Sequence, residues 1–217
     1  MSQPQNRHLV LMGKAPRIGR VKTRLARGIG LVAAWNFYRR NLLSTAQKLN
    51  SPGWTCWLAA SPDLSRFTPR QWPKLWTLIA QGGGDLGQRM LKPLHDLPPG
   101  PVVIIGSDIP YIQPQDIAAA FKVLRHNDFV FGPSTDGGYW LVGAKRTPRV
   151  VDLFKGVRWS TEHALSDTLA NLPKGCTVGF VKTLSDVDEA EDLKMLFQTR
   201  HQFNHVAGPG AAVELVD

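Results

Sequence analysis

Apolar residues in this chain fall into two patterns: short continuous runs, and longer stretches in which they recur every three or four positions. Residues 8–12 (HLVLM) and 102–105 (VVII) are continuous runs and predict buried strands. Residues 54–59, 75–80, 128–131, 139–142 and 177–181 are also short, apolar or β-branched, and predict further strands. Between them, residues 31–49, 86–97, 113–124, 161–172 and 189–200 carry apolar positions at helical spacing. Pro93 is expected at a kink or boundary of the second helix. Ser160 or Thr161 is expected to cap the fourth, with Glu162 near its positive end. Strands alternating with helices at this spacing predict an α/β fold, a three-layer α/β/α sandwich around a mostly parallel mixed sheet. In such sheets ligands collect at the carboxyl ends of the strands.

The 217 residues are expected to form one domain over 1–217, with a core of about residues 8–200 and a tail of 201–217 that lacks a clear period. Hydrophobic residues make up 43% and charged residues 20%, which excludes global disorder. No run of about 20 apolar residues exists, so no membrane span is expected, and a cytoplasmic location is. Cys56 and Cys176 lie far apart in apolar, strand-like stretches and read as two buried thiols rather than a disulfide or zinc site. His201 and His205 stand four apart, but without a third ligand nearby.

Charge changes the picture more than composition does. The formal net charge is +9, yet ten basic residues precede the first acidic one, Asp63. The rest of the chain is close to neutral, with 16 basic and 17 acidic residues. Six of the ten early cations (Lys14, Arg17, Arg20, Lys22, Arg24 and Arg27) crowd into the segment after the first strand. Together with Gly13 and Gly19, such a loop suits phosphate, because backbone N–H groups approach the anion and the cations neutralise it. Arg39, Arg40 and Lys48 are expected on a solvated helix face.

The other strands are also followed by candidate chemistry. After residue 80 come three glycines and Asp85, which allow close approach of a ligand to backbone or, equally, a turn with Asp85 at a helix start. Asp108 leaves the strand 102–105 within Gly-Ser-Asp-Ile-Pro and is placed for a divalent metal, for a base or for turn capping. Asp136, Gly137 and Gly138 follow the strand 128–131, either beside a ligand or as ordinary hairpin chemistry. Asp186 and Asp188 share a face of an extended segment, so with Asp108 they could hold Mg²⁺ (or Mn²⁺), a hard cation that prefers oxygen. Helix N-capping is the alternative for Asp188 or Glu189. Trp159 stands where a lid over a ligand would sit.

Six blocks, KAPRIGRVKTRLA (14–26), GGGDLGQRM (82–90), GSDIP (106–110), GPSTDGGYW (132–140), GVRWST (156–161) and SDVDEAEDL (185–193), resemble the selenodomain-associated transferase family. That family is labelled glycosyltransferase-like and has the nucleotide-diphospho-sugar transferase (GT-A) fold. The first block and the two acidic blocks are also similar to 2-phospholactate guanylyltransferases and, more distantly, to molybdenum cofactor guanylyltransferases. The resemblance implies that Lys14, Lys22 and Arg24 contact phosphates and that Asp108 binds the metal. It also implies that Asp186 and Asp188 complete the metal site and that Asp136, Gly137 and Gly138 face the acceptor or sugar.

The expected activity is a Mg²⁺-dependent nucleotidyl transfer. A nucleoside triphosphate would lie on Lys14, Arg17, Gly19, Lys22 and Arg24, and a phosphorylated small molecule would attack it with release of pyrophosphate. The alternative is glycosyl transfer from a nucleotide-sugar, with Asp136 as base for an acceptor hydroxyl. Nucleic-acid binding through the basic segment is disfavoured, because it leaves five later blocks without a role.

Overall fold

The computed structural model describes residues 6–196 and residue 198. Seven strands form one sheet: β1 (His8–Lys14), β2 (Thr55–Ser61), β3 (Thr77–Ala80), β4 (Val102–Gly106), β5 (Phe129–Pro133), β6 (Tyr139–Ala144) and β7 (Val178–Phe180). Their order is β3-β2-β1-β4-β6-β5-β7. Only β6 runs against its neighbours, pairing antiparallel with β4 and β5, and every other pairing is parallel. The antiparallel strand follows from the short turn after β5, which can lead only into a hairpin.

Helices α1 (Thr23–Ile29), α2 (Leu31–Leu49), α3 (Leu86–Asp96), α4 (Pro114–Val123) and α5 (Ala164–Ala170) are joined by α6 at residues 190–196. The two-residue period of the strands divides the core. Leu9 and Leu11 of β1 pack with Leu42, Ala46 and Leu49 of α2 and with Ile117 and Phe121 of α4. Val10, between them, faces the opposite layer, where Met90 and Leu94 of α3 lie with Leu153 and Phe154. This is the expected three-layer arrangement.

Four local expectations are corrected. The basic segment is not loop throughout: Thr23–Ile29 is helical, with Leu25 as its buried anchor and Gly30 separating it from α2. Two short 3₁₀ turns (Asp63–Phe67 and Pro69–Gln71) stand where no element was expected. Helix α3 runs through Pro93, which is therefore not a boundary. Helix α5 starts at Ala164 rather than Thr161, because the Thr161 hydroxyl donates to the Arg158 carbonyl at 2.8 Å and accepts the His163 N–H at 3.2 Å. Ser160, with φ 60°, also leaves the helical path.

Both cysteines are free thiols, Cys56 buried and Cys176 half-buried. Lys48 is not purely solvated: its ammonium donates to the Pro110 carbonyl at 3.1 Å and steadies the turn after β4. His201, His205 and the tail lie outside the described residues.

Candidate active site

The strand order gathers the candidate residues at one edge of the sheet. Strands β1, β2, β3 and β4 end there at Lys14, Ser61, Ala80 and Gly106, and antiparallel β6 begins there at Tyr139. Buried side chains anchor these ends. The Tyr38 hydroxyl of α2 donates to the Lys14 carbonyl and accepts the Lys14 N–H, each at 2.8 Å. Burial, with the Asp108 charge nearby, pushes the Tyr38 phenol upward, so it stays a neutral clamp. Asn41, also on α2, donates to the Ser107 carbonyl at 2.7 Å and fixes the chain just before Asp108. The Val187 N–H reaches the Asp108 carbonyl at 3.2 Å, tying the two acidic segments together through backbone.

Lys22 lies at the centre of this edge. It is the N-cap residue of α1, with φ 48° and ψ 47°, a left-handed conformation uncommon outside glycine. Its side chain is only 4% exposed, and the ammonium stands 3.1 Å from Asp108 Oδ1 and 2.5 Å from Asp188 Oδ1. Burial is the largest influence on Lys22 and pulls its pKa down. The charges of Asp108 and Asp188 together outweigh it, so the net shift is upward and Lys22 stays protonated. Arg24 adds a looser contact, 3.8 Å from Asp188 Oδ2.

The other acids are arranged differently. Asp136 spends Oδ1 on the Gly138 N–H at 3.0 Å, as the bland hairpin reading expects. Gly137 is held by packing, since a Cβ there would come within 2.2 Å of the Glu162 carbonyl oxygen. Asp186 is pushed up to about 6, first by burial, then by the Asp188 charge, with Asp136 adding to this and Lys22 opposing it. Crowded carboxylates of this kind favour a cation among them.

Two adjoining clefts open from this edge, of about 450 and 470 Å³. Met12, Arg24, Leu86, Gly106, Asp108 and Asp188 line both and form their common wall. The first cleft is cationic, with Lys14, Arg20, Lys22, Arg24 and Arg89 in its lining. The second has Tyr139, Trp140 and Trp159 among its lining and carries Asp136, Glu162 and Asp186. Arg24 is the one Lys or Arg lining this second cleft among the described residues.

Of the residues expected from sequence, Lys14, Lys22, Arg24, Asp108 and Asp188 line the first cleft, and Asp136, Gly138 and Asp186 the second. Arg17, Gly19, Asp85 and Gly137 line neither. Asp85 caps α3 instead: its carboxylate accepts the Gln88 N–H at 2.8 Å, while the Gln88 side chain accepts the Asp85 N–H at 3.0 Å. The glycine run serves the same turn. Gly84 has φ 88°, and a Cβ on it would strike the Gln88 amide at 1.9 Å.

Sequence reasoning missed Arg89 and Gln81. Gln81 is buried and donates to the Gly13 and Ala59 carbonyls at 3.1 and 2.8 Å, while its own carbonyl receives Arg89 at 3.5 Å. Its place, directly after β3, was the available signal.

The expected three-acid metal set is not gathered as a cage: among the described residues, no group of three His, Cys, Asp or Glu side chains is arranged to hold an ion. Lys22 stands between two of its members instead. The Asp108–Asp188 pair nevertheless fits a divalent ion. Asp108 Oδ1 is buried and, apart from the Lys22 ion pair, has no hydrogen-bond partner. Mg²⁺ commonly takes one or two carboxylates and completes its shell with water and phosphate oxygens.

A family profile described as "Uncharacterized protein conserved in bacteria (DUF2064)" matches residues 44–161. A crystal structure from Desulfovibrio desulfuricans G20, assigned as a nucleotide-diphospho-sugar transferase, superposes with a TM-score of 0.81 at 29% identity, over 89% of this chain and 87% of that one. CMP:2-keto-3-deoxy-manno-octonic acid synthetase complexed with CTP matches at TM-score 0.55 and 11% identity, covering 91% and 99%. Glucosyl-3-phosphoglycerate synthase from Mycobacterium tuberculosis, in complex with Mn²⁺, UDP and glucosyl-3-phosphoglycerate, matches at 0.52 and 12%, covering 98% and 84%. The last two likenesses concern the fold alone. No curated protein matches the sequence. The chain has the nucleotide-diphospho-sugar transferase fold.

Proposed function

We propose that this chain, which belongs to the DUF2064 family, is a nucleotide-dependent transferase that moves a nucleotidyl group from a nucleoside triphosphate to a small acceptor. The observation that carries this reading is the common wall of the two clefts. Cations crowd one side of it, acids and aromatics the other, and Arg24, Asp108 and Asp188 stand between.

In this reading the polyphosphate lies in the first cleft on Lys14, Arg20, Arg24 and Arg89. These cations position the α-phosphorus and hold the charge that gathers on the leaving pyrophosphate. Asp108 and Asp188 are the residues that would hold a divalent ion, which supplies charge neutralisation to the phosphates. An acceptor oxygen in the second cleft forms the new bond to phosphorus as the bond to pyrophosphate breaks, and pyrophosphate leaves with the electron pair. For a hydroxyl acceptor, Asp136 is the base, with one carboxylate oxygen held by the Gly138 amide.

A second reading, glycosyl transfer from a nucleotide-sugar, is favoured by the chemistry of the second cleft. Tyr139 and Trp159 put aromatic side chains in its lining. Asp136, Glu162, Asp186 and Asp188 repel a phosphorylated acceptor, and among the described residues lining this cleft Arg24 is the one cation that would attract it. The donor decides between the two. Thermal shift and product release are measured with Mg²⁺ and each nucleoside triphosphate, then with a panel of nucleotide-sugars. Triphosphate stabilisation with pyrophosphate release is expected. Stabilisation by nucleotide-sugars alone rejects nucleotidyl transfer, and no response to any nucleotide rejects both readings.

A further inference from the structure

We propose that Lys22 is a resident counter-ion for the Asp108–Asp188 pair, and that a divalent ion gains this pair only as a nucleotide's phosphates draw the ammonium away. The inference rests on the transferase reading above and adds to it an obligatory pairing of metal and polyphosphate.

Four observations converge on Lys22. Its side chain is almost fully buried, unlike that of Arg24, which is 59% exposed. Its ammonium contacts both acids at once, at 3.1 and 2.5 Å. Its backbone is held in a left-handed conformation, a cost that persists only where surrounding contacts impose it. Among the described residues, no third acid joins the pair to make a cage that would attract a divalent ion against this competitor.

The physical consequence is competition. A divalent ion arriving alone must share two carboxylates with a positive charge already in contact with both, and like charges this close repel. Lys22 also lines the first cleft, beside Lys14, Arg20 and Arg89. A polyphosphate bound there offers the ammonium a new anion and releases the acids. Because coupling between ligands is reciprocal, the metal must then strengthen polyphosphate binding as much as polyphosphate strengthens metal binding. Lys22 is therefore a positioning residue for the metal before it becomes a phosphate contact.

The test uses the full chain stripped of metal. Free Mn²⁺ is followed by electron paramagnetic resonance in wild type and in Lys22→Met, with circular dichroism to confirm that the variant folds. Without nucleotide, Lys22→Met should bind Mn²⁺ about tenfold more tightly than wild type. A folded variant with unchanged or weaker Mn²⁺ affinity overturns the proposal. A second measurement on wild type stands even if the variant does not fold. With ¹⁵N-lysine, the ion-paired ammonium signal of Lys22 should stay in place with Mg²⁺ alone and move with Mg²⁺ plus inorganic triphosphate. If Mg²⁺ alone moves it to the same end point, the proposal fails. A wild-type protein that binds no triphosphate sinks the nucleotidyl-transfer reading and this inference with it. Triphosphate binding without any change in Mn²⁺ affinity on removal of Lys22 sinks this inference alone.

Discussion

The Asp192 carboxylate accepts the backbone N–H of Asp188 at 2.9 Å, and with the same oxygen that of Glu189 at 2.8 Å. Helix α6 is thus capped from within its own first turn, the reciprocal half of a capping box. The capping role that sequence alone leaves open for Asp188 belongs to Asp192, and the Asp188 side chain is left to face Lys22. Asp192→Ala should lower stability by about 1 kcal/mol. For a domain of this size that is a fall in melting temperature of about 2–4 °C. It should also loosen the Asp188 segment and weaken binding of Mg²⁺ with triphosphate. Melting curves and calorimetry on the same variant check both parts, and unchanged melting would remove Asp192 as the cap.

Asp108→Asn should keep the fold and lose turnover by about 100-fold or more. The fold survives because no N–H or O–H donor other than the Lys22 ion pair depends on Asp108 Oδ1. The backbone carbonyl that receives Val187 is untouched by the change. Circular dichroism beside a pyrophosphate-release assay separates the two effects, and full activity would refute the metal assignment.

Cations inside and outside the first cleft should differ in consequence. Arg24→Ala and Arg89→Ala each remove a charge from the first cleft and should weaken triphosphate binding about tenfold. Arg17→Ala should leave affinity unchanged, because Arg17 is exposed and lines neither cleft. Calorimetric titration of inorganic triphosphate into the three variants is sufficient. Equal losses in all three would point to a diffuse field instead of a built site.

The contrast between Arg17 and Arg89 also shows what sequence can carry. Strands β1 and β4 were legible because a buried central strand is apolar on both faces, as Leu9–Leu11 and Val102–Ile105 are. Helix α1 was not, because seven residues with one buried anchor, Leu25, leave no period to detect. Asp108, Asp136, Asp186 and Asp188, which line the clefts, stood out from their places after strands. Which cation meets them did not, since 166 positions separate Lys22 from Asp188 and only the strand order brings them together. Asp85 illustrates the opposite limit. A carboxylate after glycines serves a helix cap or a ligand equally well in sequence, and only the Gln88 contacts decide for the cap.

Asp186 should make the metal-free protein less stable as pH rises. Its folded pKa of about 6 exceeds the ordinary 3.8, with burial and the Asp188 charge as the main causes. Between these two values the folded chain binds more protons at this site than the unfolded chain, so stability falls as pH climbs through the window. Asp186→Asn removes the charge that burial and Asp188 penalise. Without divalent ions, the variant should melt higher than wild type at pH 8 and close to it at pH 4, where Asp186 is largely protonated in the fold. The size of the gain should shrink when Mn²⁺ and triphosphate are added, because a bound cation offsets the same repulsion. Thermal melts of both proteins between pH 4 and 8 provide the comparison. Parallel curves over that range would show that Asp186 is not the group that titrates.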